Sequence, residues 1–275
     1  MKARWLTTLG VSGVLLGGVL FVGGCSAPSA APAPGHPLAA QIQRGLEGGT
    51  DRFDHGGLDR LLRAHVDTEG RVDYSGLAAE RALLQDYLRA LAEADLSRLG
   101  REELLALLIN AYNAFTLDWV VENLPLVSIR ETSEPWTGER HRLGGSTVSL
   151  DFIEHSLLRV PELFDEPRIH FAVNCASRGC PPLSAKAFVG GRIREQLAGA
   201  TTRALAREDQ LRVEGDRVRV TRLLDWFASD FERDGGTRAG FLARYAPPPA
   251  RALLEAQGDR VLSFLEYDWS LNGTD

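Results

Sequence analysis

The stretch EELLALLINAYNAFTLDWVVENLP, residues 102–125, carries apolar side chains nearly all the way round a helical wheel. A surface helix confines such residues to one stripe, so a helix without a polar face has to be enclosed by the rest of the chain. Pro125 cannot continue a helix and ends this one. Whatever the chain folds into must therefore build its other elements around this segment. Asn110 and Asn113 interrupt the apolar run at a spacing of three, which sets them on one side of the helix. A buried amide without partners costs about 1–3 kcal/mol. Two uses follow: holding the backbone of a neighbouring loop, or orienting a histidine or donating to a developing oxyanion.

The elements around this helix mix periods. LDRLLRAHV and LAAERALLQDYLRALAEADL repeat apolar residues at three and four and read as amphipathic helices; RVDYSGL between them reads as extended. HRLGGSTVSL gives a short extended piece, after which a helix starts near Ser149, an N-cap residue type followed by Asp151 in the first turn. RIHFAVN reads as a β run. LRVEGDRVRV is a hairpin, with Leu211, Val213, Val218 and Val220 alternating around Gly215 and Asp216. RLLDWFASDF and RALLEAQG return to helix, and VLSFLEYDWSLN closes as a strand and tail. Helices and strands do not alternate regularly, which disfavours a doubly wound parallel sheet. The expected fold is α+β: a helix-rich single domain with a small, partly antiparallel β-sheet.

The N-terminus sets the compartment. Lys2 and Arg4 precede an apolar, glycine-rich run to Val22 that is about long enough for a transmembrane anchor, but no charged stop-transfer segment follows, which gives it the form of an export signal. VGGC then resembles a lipoprotein lipobox, in which Cys25 becomes the acylated first residue of the mature chain; several acyl chains give stable membrane attachment. The expected organisation is a lipoprotein signal peptide over 1–24, an Ala/Pro-rich tether over 25–50 and a globular domain over 51–275. Ser26 rather than an aspartate follows the cysteine, which by resemblance to known lipoprotein signals implies the outer membrane, so the domain is expected in the cell envelope, lipid-anchored through Cys25 and facing the periplasm. The formal net charge is −6, and loss of Lys2 and Arg4 leaves the remainder more acidic. No basic stripe interleaves with aromatics, which argues against nucleic acid as a partner. The expected partners are the bilayer and an unidentified small-molecule, peptide or glycan ligand. No cofactor is expected.

The chemistry concentrates in PRIHFAVNCASRGCPPL, residues 167–183. In an oxidising compartment paired cysteines are usually bridged, and Gly179 with Pro181 supply the turn that Cys175 and Cys180 would need. The alternative is a Cys175 nucleophile, which requires a base and an orienting group that can be distant in sequence. If 169–175 is a regular strand, His170 and Cys175 point to opposite faces. That favours His155, on the preceding helix, as the base, with Asp151 one turn before it or Glu154 beside it as orienter. His170 is then a supporting or structural residue. A redox-active pair lies between these readings, although the spacing departs from CxxC. His155, His170, Cys175 and Cys180 lack the usual zinc-ligand spacings, so no metal is expected. His141 and Arg178 read mainly as solvated surface, and Trp226, Phe227, Tyr267 and Trp269 as core aromatics.

Five segments together carry a family resemblance: LLINAYNAFTLDWVVENLP, VSLDFIEHSLLR, PRIHFAVNCASRGCPPL, LLDWFASDF and YDWSLNG. In order and spacing, from about residue 50 to 274, the chain resembles the family called Domain of Unknown Function 547. The resemblance implies that Asn110, Asn113, Asp151, Glu154, His155, His170, Cys175 and Cys180 belong to one shared site. It implies no activity. The leading expectation is thus a thiol-dependent hydrolase or acyltransferase acting on an amide, ester or thioester, with Cys175 as nucleophile. The alternative is a non-catalytic envelope binding or scaffold module with a structural disulfide.

Overall fold

The computed structural model describes residues 36–274; the expected signal peptide, Cys25 and the first part of the tether lie outside the described residues. The first described element is helix α1 (Pro37–Gly48), whose Leu38 and Ile42 are fully buried. The stretch expected to be tether up to residue 50 therefore joins the domain from Pro37 onward, because its apolar residues fall at helical spacing. Helix α2 (Gly56–His65) follows. Val72 makes single bridges to Val66 and Gly273, and RVDYSGL then becomes helical: α3 (Tyr74–Ala79) is capped by the Asp73 side chain on the Gly76 N–H. After α4 (Arg81–Glu93) comes α5 (Arg101–Glu122), in which every residue from Leu104 to Leu117 is buried. Glu102 and Glu103 in its first turn offset the helix dipole. The elements α1, α3 and α4 pack against it, as the enclosed-helix argument requires.

The remaining elements complete two cores. Strands β1 (His141–Leu143) and β2 (Ser146–Val148) form an antiparallel hairpin turned by Gly144 and Gly145, both at positive φ. Helix α6 (Leu150–Ile153) is capped by Ser149, whose hydroxyl accepts from the Phe152 N–H, and it widens into a π-helical turn over Glu154–Leu158. Helix α7 (Ile193–Leu205) leads to β3 (Leu211–Glu214) and β4 (Arg217–Val220). These pair in the expected register, Leu211 opposite Val220 and Val213 opposite Val218. Four short helices follow: α8 (Leu223–Trp226), α9 (Ala228–Gly235), α10 (Arg238–Ala243) and α11 (Pro248–Gln257). Finally β5 (Leu262–Phe264) adds to β4 in parallel, giving a mixed three-stranded sheet. One apolar core surrounds α5, and a second lies between this sheet and α8–α11. The fold is α+β and helix-rich.

RIHFAVN departs from its sequence reading. Pro167–Phe171 is a 3₁₀ helix entered through Pro167, with the Glu166 carboxylate accepting from the Arg168 N–H. Its alternating apolar residues are not the two faces of a strand. Ile169 and Ala172 join the core around α5, while Phe171 enters the second core and stacks on Phe241. A segment wedged between two cores is apolar on several sides whatever its backbone does, so alternation was a poor guide to conformation here.

The seat of α1 is tight at Gly45. A Cβ there would lie 2.5 Å from the Leu99 carbonyl oxygen and 2.6 Å from that of Leu96, whereas Gly48 faces open space. Gly45→Ala is expected to lower stability by about 1–3 kcal/mol through forced backbone displacement. Gly48→Ala is expected to be neutral or stabilising by up to about 1 kcal/mol. Urea unfolding of the two variants checks the contrast.

Candidate functional site

Asn113 fixes the backbone that carries the cysteines. Its Nδ2 donates to the Ala172 carbonyl at 2.9 Å and its Oδ1 accepts from the Asn174 N–H at 2.8 Å. Asn174 then closes the loop: its amide donates to the Pro181 carbonyl at 2.9 Å, and its Oδ1 accepts from the Ala176 N–H at 2.8 Å. Ala176 takes a left-handed φ of 61°, a strained conformation for an L residue. So shaped, the loop brings the Cys175 and Cys180 sulfurs within disulfide-bonding distance, with Cα atoms 6.5 Å apart. The C-terminal segment clamps it from outside. The Arg178 and Gly179 N–H groups donate to the Ser270 and Asp268 carbonyls, both at 2.8 Å, and Asn272 N–H donates to Ala176 at 3.2 Å. Gly179 is required here, since a Cβ would lie 2.9 Å from the Asp268 nitrogen and the Tyr267 ring. Asn110 does for another loop what Asn113 does for this one, bonding both N–H and carbonyl of Phe188 at 2.9 and 2.7 Å.

The clamp sets Tyr267 over the sulfurs. Its hydroxyl is 3.0 Å from the Cys180 sulfur and 3.3 Å from that of Cys175. The Ser177 hydroxyl is 3.4 Å from Cys180 Sγ and 3.3 Å from Cys175 Sγ, and the Cys175 backbone N–H points at Cys180 Sγ at 3.1 Å. Cys180 is buried and Cys175 partly exposed. Both border a narrow cleft of about 40 Å³ walled by Trp226, Phe227, Tyr267 and Trp269, with Tyr112, Glu154 and His170 also lining it. The three half-buried rings of Trp226, Tyr267 and Trp269 lie within 4.5–6.0 Å of one another and form the outer wall.

Behind the cleft runs a buried charge network. Asp230 Oδ2 accepts from Arg159 Nε at 2.7 Å and lies 2.9 Å from His170 Nε2. Burial alone would raise the Asp230 carboxyl, but the hydrogen bonds from His170 and Arg159 outweigh it and hold the group well below the usual range. The His170 ring stacks on Phe227 at 4.1 Å, and burial pulls its pKa down against the pull of Asp230. Arg159 also meets His155 Nδ1 at 2.7 Å, and His155 Nε2 is 3.8 Å from Asp151. Burial first and the Arg159 charge second depress His155 to about 4, so it is a neutral imidazole at pH 7. Glu154 is the opposite case. Its burial outweighs Arg159 and a hydrogen bond with Tyr112, raising it to about 7. This group exchanges a proton near neutrality at the wall of the cleft.

Of the expected site residues, Glu154, His170, Cys175 and Cys180 border one cleft and Asn113 holds its loop, whereas Asn110, Asp151 and His155 do not line it. The argument that turned His170 away from Cys175 rested on a strand that does not form, and His170 borders the same cleft as both cysteines. His155, the expected base, is held by Arg159 and is not among the cleft-lining residues. Asp151 lies 3.8 Å from His155 Nε2, beyond hydrogen-bond distance of that neutral ring, while Glu154 lines the cleft itself. Both ends of Asn110 and Asn113 bind loop backbone, the holding role rather than the oxyanion one. His141 is buried against Phe115 and not solvated; burial lowers it to about 4. Asp230, Arg159, Ser177 and Tyr267 were missed. Asp230 carried a signal: an acid flanked by Phe227 and Phe231 on the inward side of a helix.

A family model described as "Protein of unknown function, DUF547" matches residues 96–204. That range holds the two asparagines, Asp151 to Arg159 and the cysteine loop; Asp230 and Tyr267 lie beyond it. No curated protein and no solved structure matches the chain.

The raised Glu154 has a stability signature. A carboxyl whose folded pKa exceeds its unfolded value contributes fully below the unfolded value, here near 4.5, and loses that contribution as pH rises through about 7. Glu154→Gln does not titrate. Its stability relative to the native protein is therefore expected to climb between pH 4.5 and 7, by roughly 3 kcal/mol at most. Urea unfolding of both proteins across this range tests it; a flat difference rejects the assignment.

Proposed function

We propose that this chain, whose residues 96–204 belong to the DUF547 family, is a thiol–disulfide exchange module held at the bacterial cell envelope. In this reading Cys25 is lipidated after signal cleavage and the domain faces the periplasm, where oxidants keep cysteine pairs turning over. The observation that carries the proposal is the set of donors around Cys180 Sγ: the Cys175 N–H at 3.1 Å and the Tyr267 hydroxyl at 3.0 Å, the latter accepting in turn from the Ser177 hydroxyl at 3.0 Å. A purely structural disulfide has little use for hydrogen-bond donors, whereas a departing thiolate is stabilised by each of them.

The exchange runs as follows. A substrate thiolate attacks the partly exposed Cys175 Sγ, a new S–S bond forms there, and the Cys175–Cys180 bond breaks with its electron pair on Cys180. The buried Cys180 thiolate rests against the Cys175 N–H and the Tyr267 hydroxyl, with Ser177 donating to the latter. A second substrate thiol then attacks the mixed disulfide, releasing oxidised substrate and leaving both cysteines reduced. Glu154, titrating near 7 in the same cleft, is suited to taking up or returning the proton. The half-buried Trp226, Tyr267 and Trp269 offer the substrate an apolar rim.

A second reading, thiol-dependent hydrolysis or acyl transfer of an amide, ester or thioester by a free Cys175, draws support from His170. This residue shares the cleft and has Asp230 behind it at 2.9 Å, the arrangement of a base with an orienting acid. Iodoacetamide labelling of the purified protein without reductant separates the two: exchange expects both cysteines protected, hydrolysis expects Cys175 labelled. In glutathione buffers the exchange reading expects a midpoint potential above about −300 mV. It also expects Tyr267→Phe to make the pair harder to reduce by about 30 mV, the equivalent of one lost hydrogen bond to a thiolate. A potential below that limit, or no shift in Tyr267→Phe, rejects it.

A further inference from the structure

Tyr267 also borders a second, wider groove of about 540 Å³, whose walls include Arg178 and Gly179 of the cysteine loop and the outer face of the β3–β4 hairpin. The hairpin contributes an arrangement that folding does not call for. Arg212 and Arg219 sit directly opposite each other in the strand register, where like charges destabilise a sheet. They are on the face turned away from Leu211, Val218 and Val220, so core packing does not dictate them. Both lean on one carboxylate, Glu214, at 2.7 and 3.5 Å. Arg222 adds a third cation from the hairpin's end, with Asp225 at 3.1 Å.

Of the acids of the groove, Asp209 is paired with a cation, while Asp268 is held ionised by hydrogen bonds from Ser270. Asp209 is bound twice by Arg207, at 3.0 and 2.8 Å, and Asp268 accepts from the Ser270 N–H and hydroxyl at 2.9 and 2.6 Å. Glu266 is exposed at the rim. A second, independent observation lies in the groove's wall. Thr221 lines it and is 2% exposed, yet its hydroxyl has no hydrogen-bond partner among the described residues. Its backbone N–H continues the hairpin ladder onto the Gln210 carbonyl at 2.8 Å, so the position is fixed. A buried hydroxyl left unpaired is unfavourable; an oxyanion entering the groove would draw on the opposed arginines, and a small shift at Thr221 that opened its hydroxyl to the groove would give that donor an acceptor.

We propose that this groove is an anion subsite for an acidic peptide segment, lying next to the cysteine that exchanges at Cys175. The peptide assignment rests on the thiol–disulfide reading; the anion preference does not. The Gln210 side chain joins the two sites. It stands on the hairpin beside Thr221, and its Nε2 donates to the Gly179 and Cys180 carbonyls at 3.2 and 3.3 Å. A substrate bearing carboxylates a few positions from its reactive cysteine could therefore occupy both at once.

The test is calorimetric titration of the full chain with a cysteine-free hexaglutamate peptide and, separately, with inorganic phosphate. Saturable peptide binding is expected, weakened about tenfold or more by the double change Arg212→Gln and Arg219→Gln, and by raising salt to about 0.2 M. Thr221→Val, which keeps shape and removes the hydroxyl, is expected to weaken it several-fold. Arg217→Gln, on the same hairpin but outside the groove, is expected to leave it within about twofold. Absence of saturable binding, indifference to the double change, or an equal loss in Arg217→Gln overturns the subsite. Phosphate binding tighter than peptide overturns the peptide assignment. Binding retained in a Cys175→Ser, Cys180→Ser protein whose parent shows no exchange activity leaves the groove standing while the exchange reading falls.

Discussion

The structure depends on two amides that have no access to water. Because α5 is enclosed on all sides, Asn110 and Asn113 must find every partner inside the protein, and both find it in the backbone of loops that no sheet supports. Each asparagine offers one donor and one acceptor at a spacing that matches a peptide group, so it can stand in for a neighbouring strand. Loops at 172–174 and 188 are thereby as firmly registered as ladder residues, at positions where the chain needs irregular geometry. The cysteine loop inherits its shape from this: the left-handed Ala176 and the closure by Asn174 are held by a rigid helix behind them.

Behind the cleft, similar burial produces different charge states. Asp230 stays ionised because a guanidinium and an imidazole meet its oxygens directly. Glu154, one turn from Arg159 and also buried, has its desolvation only partly offset and sits near neutrality. His155 is kept uncharged between the cation of Arg159 and its own burial. The arrangement separates a permanent anion, which fixes ring and guanidinium positions, from a carboxyl free to change protonation at the cleft wall. Two acids with separated affinities are a common preparation for proton traffic.

Much of this was legible in the sequence where the signal was local. The enclosed helix, the Ser149 cap and the β3–β4 register all follow from spacing and residue chemistry over a few turns. What failed was RIHFAVN, where the pattern reported burial between two cores and not strand geometry, and with it the facing of His170. The flanking phenylalanines marked Asp230 as inward-facing, but its partner, like that of Tyr267, was out of reach for another reason. Asp230 lies 60 residues from His170 and Tyr267 lies 92 from Cys175, so nothing local ties them together. The tether boundary slipped because Pro37 and the alanines after it suit a first helical turn as well as an extended linker.

The distance from Cys175 to Tyr267 also gives the site a history. The sulfurs sit five residues apart and can meet as soon as their loop emerges, while the aromatic lid and the strand-like clamp at 268–272 are supplied much later. At ordinary rates of synthesis the interval is on the order of ten seconds. During that interval the cysteines have neither hydroxyl lid nor aromatic rim, and their reactivity is that of any exposed pair. The arrival of the C-terminal segment is what gives them lid and rim, so completion of the cleft is timed by the chain's own order of appearance.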